Sequence, residues 1–417
     1  MKYNALKGVH DIFPPDVHTW NRIEKIARDV FAEYGFQELR LPIIESTEIF
    51  VRSIGETTDI VEKEMYTFSD KAGRRITLRP EGTASAVRCY VENHLYNLPP
   101  PQKFFYSGPM FRYERPQAGR FRQFFQIGVE AFGVAEPKID AEILSMLRLL
   151  FGGIGLQGIN FEVNSIGCEK CRPGFRKALI DFFSDKLNGF CDDCKRRYEQ
   201  NPLRILDCKV EACVKLRADA PRVTDFLCGD CKSHFAAFLS YLQLLKIPYV
   251  LNPYMVRGLD YYTRTIFEVT CEHLGAQNAI AAGGRYDGLV QEFGGPPTPA
   301  VGFAIGMERI ASLLKSSVDL HIPHPEVLIA AVGESGEKEG FVIADGLRKK
   351  GIWAELGYAG SSLKSQLRKA DKLCVKYVLI IGEDEIAAGR LKKKRLSDGS
   401  QEEVPIEEVY DSFSAGA

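Results

Sequence analysis

No apolar run in this sequence reaches the roughly 20 residues that a membrane-crossing helix requires. The first residues, MKYNALKGVHDIFPPD, have no apolar signal core and no Arg- and Ser-rich amphipathic pattern, so the expected compartment is the cytoplasm. An excess of one charge is also missing. Lys and Arg total 54 against 55 Asp and Glu, for a net charge of −1. Any contact with nucleic acid must therefore rest on a local basic patch, which disfavours a non-specific coat protein. In a reducing compartment the eleven cysteines are not expected to build a disulfide framework.

At 417 residues the chain exceeds one ordinary core, and two or three domains are expected. The segment His321–Pro325, HIPHP, marks a boundary through its prolines and a shift in pattern. Its two histidines, spaced around Pro323, make a poor ligand geometry. Beyond it, strands (Val327–Val332, Ile352–Leu356, Lys376–Ile381) alternate with helices (Lys338–Lys350, Leu363–Leu373). That alternation predicts a small α/β domain over 326–417. Arg390 and Lys392–Arg395 form a basic run, either a solvated face or an RNA footprint.

The stretch Gly108–Gly133 reads as two aromatic-rich strands, Met110–Glu114 and Arg122–Phe132, around a loop broken by Pro116 and Gly119. Arg112, Arg115, Arg120 and Arg122 alternate with Phe111, Tyr113, Phe121, Phe124 and Phe125. Guanidinium forks match phosphate and carboxylate oxygens, and the neighbouring rings can stack a base. Glu114, Gln126 and Glu130 add acceptors. A solvated ribbon would need none of this interleaving, so a nucleotide or polyanion site is expected.

Three further stretches carry chemistry. In LRPEGTA (Leu78–Ala84), Glu81 sits at a tight turn before a helix, where Thr83 can cap that helix or share with Glu81 the ammonium group of a substrate. In RGLDYYTRTIFE (Arg257–Glu268), a cation beside Gly258 is followed by Asp260, Tyr261 and Tyr262, which suits a small zwitterion with a polar ring. AVGFAIGMERI (Ala300–Ile310) reads as a small-residue strand entering a helix that carries Arg309. Near the start, Trp20, Ile23, Ala27, Val30, Phe31 and Tyr34 form a helical stripe ended by Gly35, offered either to an oligomer surface or to the core.

Eight cysteines lie between Cys168 and Cys231, three pairs of them in CxxC spacing. CxxC is the spacing at which one turn offers two thiolates to zinc. The separations between pairs match no standard finger or ribbon, so reduced thiols are the expectation. A structural zinc, if present, is assigned to Cys191, Cys194, Cys228 and Cys231.

With these residues in hand, the chain resembles the bacterial histidyl-tRNA synthetases, a family of class II aminoacyl-tRNA synthetases, over nearly its whole length. Phe36–Pro42 with its preceding helix looks like motif 1, Phe111–Phe132 like motif 2 and Ala300–Ile310 like motif 3. These indicate the class. LRPEGTA and RGLDYYTRTIFE look like the histidine-specific signatures.

The resemblance implies an α+β catalytic domain over 1–325, with an antiparallel sheet flanked by helices. It also implies a helical, Cys-rich insertion at about 168–246 and a C-terminal α/β anticodon-binding domain. The implied activity is a histidine–tRNA ligase that forms histidyl-adenylate from ATP, with Mg2+, and transfers histidine to its tRNA as a homodimer. The implied catalytic residues are Arg257 and Arg112. Arg112 would hold the α-phosphate and the histidine carboxylate, and Arg257 would bridge the same two groups. Arg120 and Arg309 would hold the outer phosphates, while Phe124 and Glu114 would take the adenine. Glu81, Thr83 and Gln126 would hold the α-amino group. Glu130, Tyr261 and Tyr262 would line the imidazole site. Arg115 and Gln117 would approach the tRNA acceptor end.

Two other readings compete. A paralogue of these synthetases is a regulatory subunit of ATP phosphoribosyltransferase, but it lacks the C-terminal domain and the motif arginines that this chain keeps. A nucleotide-binding RNA chaperone would account for the arginines and leave RGLDYY without a purpose.

Overall fold

The computed structural model describes residues 3–55, 58, 60–117, 119–272, 274, 278–315, 323–358 and 362–413. These fall into two compact units, Met1–Leu320 and His321–Ala417. The proline-containing stretch His321–Pro325 opens the second unit, and its His321 and Ile322 lie outside the described residues. Among the described residues, no helix is long and apolar enough to cross a membrane.

An eight-stranded sheet organises the first unit. Its spatial order is Gln37–Glu38, Gln102–Phe111, Gln123–Phe132, Ala300–Gly306, Ala279–Arg285, Thr263–Cys271, Ile159–Ser165 and Val250–Leu251. The inner pairings are antiparallel, and only the short outermost strands join in parallel. The largely antiparallel sheet that the resemblance implies is the one found. Side chains alternate across it. On Gln123–Phe132, Ile127, Val129 and Ala131 enter the main core with helices Asp16–Glu33 and Pro137–Ile154. Phe132 packs on the opposite face with Val87 and Tyr90 of helix Thr83–Glu92, and Glu130 points to that face as well.

Several local expectations change. Of the Trp20–Tyr34 stripe, Ile23, Ala27, Val30 and Phe31 are buried in the core, one of its two expected destinations, and Trp20 and Tyr34 pack partly buried against it. Strand Gln102–Phe111 runs unbroken through Gly108 and Pro109. Proline is tolerated there because the Pro109 carbonyl faces Arg79 Nε at 3.0 Å, on the side away from the partner strand, and the imino nitrogen lies on that same side. Ile43–Ile60, whose mix of acidic and polar residues suggests a loop-rich stretch, contains strand Ile44–Ser46 and helix Thr47–Ile54. Their signal is short, and it depends on a three-stranded sheet with Tyr66–Ser69 and Arg75–Leu78.

The second unit has three parallel strands, Val327–Ala331, Ala354–Leu356 and Tyr377–Ile381, with helices Gly333–Lys349 and Leu363–Lys372. Two antiparallel strands, Arg390–Arg395 and Gln401–Pro405, extend the sheet. The basic run is thus a strand, and acidic groups neutralise much of it. Lys392 meets Glu385 at 2.7 Å, Arg390 meets Glu403 at 3.5 Å and Lys393 meets Glu402 at 3.6 Å.

Candidate active site

A pocket of about 430 Å³ opens on the sheet face opposite the main core. Glu81 and Thr83 reach it from the turn before helix Thr83–Glu92. Arg112, Glu114, Arg120, Phe124 and Gln126 come from the hairpin. Arg257, Tyr261 and Tyr262 come from the RGLDYY loop, and Arg309 from helix Met307–Lys315. Four stretches far apart in sequence therefore converge. Glu130 lies just beneath the lining, while Arg115 and Gln117 stand exposed on the hairpin loop outside the pocket.

The floor is built around Glu130, which is fully buried. Its Oε1 accepts hydrogen bonds from Thr83 Oγ1 at 2.8 Å and Tyr106 Oη at 3.0 Å, and its Oε2 accepts one from Tyr286 Oη. Glycines make room for this cluster. A Cβ on Gly302 would lie 2.0 Å from Glu130 Oε2, and one on Gly82 or Gly128 would strike the Tyr106 ring. Gly283 serves the sheet itself, since a Cβ there would lie 2.2 Å from the Gly302 carbonyl. Thr83 is not the helix cap that its position suggests. Glu81 fills that role, accepting from the Thr83 amide at 2.7 Å and the Ala84 amide at 2.8 Å, which frees the Thr83 hydroxyl to face Glu130.

Burial pushes the Glu130 carboxyl up to about 8, against the pull of the hydroxyls of Tyr286, Thr83 and Tyr106 and with a push from Glu81. From the ordinary value of 4.5 up to about 8, the folded chain holds a proton that the unfolded chain releases. This contribution to stability is therefore greatest at low pH and falls as pH rises through that window. Glu130→Gln should flatten it: between about pH 5 and pH 8.5 the variant should lose less stability than the wild type. Denaturant titrations at several pH values read the slopes, and parallel slopes would refute the assignment.

The hairpin places its cations close together. Arg112 Nε donates to the Pro80 carbonyl at 2.9 Å, and its guanidinium carbon lies 5.3 Å from the Phe124 ring centre. Glu114 stands between Arg120 at 3.3 Å and Arg112 at 3.9 Å. Arg309 bonds the carbonyls of Gly119 and Ala279. Its pKa is lowered by burial first, then by Arg120 and Arg112, with Glu114 opposing. Around Glu114, Arg112, Arg120 and Arg309 are thus clustered, an arrangement suited to a polyanion. Glu308 is held by the Phe125 amide at 2.9 Å, and burial pushes its carboxyl up to about 7. Among the described residues, Gln126 Oε1 is a buried acceptor without a hydrogen-bond partner, suited to an N–H donor from a ligand.

The RGLDYY loop is fixed from two sides. Arg257 donates to Glu268 on the adjoining strand, and its guanidinium carbon lies 5.9 Å from the Tyr262 ring centre. From the insertion, Arg204 holds the carbonyls of Arg257 at 3.2 Å and Gly258 at 2.9 Å, and Arg172 donates to the Tyr262 carbonyl. Tyr106, Tyr286, Glu268, Arg204 and Arg172 were not singled out from sequence. Each acts through a tertiary approach, and of these only Glu268, the last residue of RGLDYYTRTIFE, lies in a stretch that the sequence marks.

The cysteines also differ from expectation. Cys191 and Cys194 are not gathered with Cys228 and Cys231. Cys168, Cys171, Cys228 and Cys231 form one group, and Cys191, Cys194, Cys208 and Cys213 form another. The outer two CxxC pairs close the insertion at its base, so they meet each other and leave the inner pair to Cys208 and Cys213.

Comparison with known proteins agrees with this geometry. The family profile described as histidyl-tRNA synthetase matches residues 8–169 and 203–310, and an anticodon binding domain profile matches 326–415. A histidine–tRNA ligase from Thermodesulfovibrio yellowstonii is 54% identical over 411 residues, covering 99% of this chain and 98% of that protein. One from Syntrophotalea carbinolica is 50% identical over 413 residues, with the same coverage. The crystal structure of apo S. aureus histidyl-tRNA synthetase superposes with a TM-score of 0.84 at 35% identity, covering 99% of both chains.

Proposed function

The chain belongs to the histidyl-tRNA synthetase family, and from that membership and the pocket we infer a histidine–tRNA ligase. It activates L-histidine with ATP to histidyl-adenylate, then transfers histidine to the 3′ end of its tRNA, releasing AMP and diphosphate. One observation carries this reading: LRPEGTA and RGLDYY meet the arginine hairpin around a single pocket. Residues 1–325 serve as the catalytic domain and 326–417 as the anticodon-binding domain. A homodimer working in the cytoplasm completes the reading.

The roles follow from charge. Adenylate formation drives a carboxylate against a phosphate, and the two anions repel. Arg112 and Arg257 offset that repulsion and stabilise the transition state, a task for preorganised cations. Arg120 and Arg309 take the outer phosphates, and Phe124 with Glu114 takes the adenine. Glu81, Thr83 and the unpartnered Gln126 oxygen receive the α-ammonium group. Tyr261 and Tyr262 close on the imidazole above Glu130, and a site of such polar groups rejects apolar side chains by leaving itself unpaired. Arg115 and Gln117, exposed on the hairpin loop, meet the tRNA acceptor end. Glu268 is engaged by Arg257 and Glu114 by Arg120, so Mg2+ would be held chiefly by the phosphates it arrives with. Charging of total tRNA with each of the twenty amino acids tests the whole. Histidine alone should be accepted, and acceptance of a different amino acid, or of none, overturns the reading.

A further inference from the structure

We propose that the insertion holds two structural zinc ions, one on Cys168, Cys171, Cys228 and Cys231 and the other on Cys191, Cys194, Cys208 and Cys213. In each group all four sulfurs lie within 4.8 Å of one another. Tetrahedral zinc with bonds of about 2.3 Å sets its thiolates about 3.8 Å apart. The separations are 3.7 Å for Cys168–Cys171, 3.8 Å for Cys168–Cys228 and 3.9 Å for Cys191–Cys208. A disulfide would need about 2.05 Å. Ordinary apolar packing gives no reason for eight of eleven cysteines to gather in two fours while Cys89, Cys271 and Cys374 stay apart.

The surroundings favour thiolates. Cys171, Cys191 and Cys228 occupy the N-cap positions of helices Arg172–Phe183, Asp192–Gln200 and Gly229–Leu244, where the helix dipole stabilises negative charge. The Cys228 amide donates to Cys171 Sγ at 3.1 Å and the Cys191 amide to Cys213 Sγ at 3.3 Å, the kind of outer-shell donor that supports metal-bound sulfur. The four-sulfur groups are nested. The outer one joins the point where the chain leaves strand Ile159–Ser165 to the point where it enters helix Gly229–Leu244. The inner one lies in a separate small core with Phe175, Leu179 and Phe183. A module with so little apolar interior is the kind that a metal staples. A four-thiolate tetrahedron selects zinc or iron, and an iron-filled site would be betrayed by colour.

Metal analysis of the full-length enzyme, purified with reductant and without chelator, should find two zinc per chain. Cys171→Ser/Cys231→Ser and Cys194→Ser/Cys213→Ser should each retain one. If a double variant does not fold, cobalt exchanged into the wild type should give the charge-transfer and visible bands of tetrahedral tetrathiolate cobalt at two equivalents. Zinc well below one per chain, a single equivalent, iron in its place, or a double variant that keeps both ions would overturn the proposal.

Discussion

Arg257→Ala should lower histidine-dependent ATP–pyrophosphate exchange by roughly a thousandfold, at the upper end of the loss expected when one preorganised electrostatic contact is removed. Burial works against the charge of this side chain, but Glu268, then Tyr262 and Asp207, more than restore it, so its pKa is raised. The cation is therefore held in place before any substrate arrives. Its Nη1 is committed to Glu268, while its buried Nε has no hydrogen-bond partner among the described residues. The fold should survive, because the carboxylate left behind lines the open pocket and can be hydrated. A variant with wild-type melting and near-native exchange would refute the bridging role. Arg257→Lys keeps the charge but loses the fork, and should recover only part of the rate.

The backbone around Arg257 depends on a partner that sequence could not identify. Arg204 stands in the short 3-10 segment Pro202–Asp207, with no periodic pattern and no motif around it. Its guanidinium nevertheless spans two consecutive carbonyls of the RGLDYY loop. The insertion is thus more than an appendage, since it holds the RGLDYY turn from outside.

What sequence revealed well were residues whose chemistry is carried locally. The arginines interleaved with aromatics, the turn at Glu81 and the RGLDYY run were all visible, because spacing along one element fixes their direction. The supporting hydroxyls of Tyr106 and Tyr286 were not. Strand position can say that Tyr106 and Phe104 share a face, but not that both tyrosines close on the same carboxylate. The cysteine error has a similar origin. Cys208 and Cys213, five residues apart, fit no ligand spacing until helix Glu211–Leu216 turns Cys213 back toward Cys191. The basic run Arg390–Arg395 hid a strand because its acidic partners lie outside it, at Glu385 before it and at Glu402 and Glu403 after the turn.

Asp140→Ala should destabilise the first unit by about 3–5 kcal/mol, the range for removing one member of a buried ion pair. Asp140 is fully buried on helix Pro137–Ile154. Its carboxylate takes Arg285 Nη1 at 2.6 Å and His234 Nε2 at 2.9 Å, and Arg285 also donates to the Val134 carbonyl at 2.6 Å. These contacts tie together a core helix, the strand Ala279–Arg285 and helix Gly229–Leu244, the element by which the insertion returns to the sheet. Without Asp140, Arg285 keeps Asp287 at 3.1 Å, but that carboxylate is partly exposed and repays less of the cost of burying the guanidinium. His234→Ala should cost less, because Asp140 would still compensate Arg285. Thermal melting of the three proteins measures the order, and an Asp140→Ala protein that melts with the wild type would overturn it. The next residue, Tyr286, donates to Glu130 in the pocket floor. Asp140→Ala should therefore also weaken histidine binding at temperatures where the chain is still folded, with a smaller effect on ATP, whose proposed contacts lie on the hairpin and on helix Met307–Lys315.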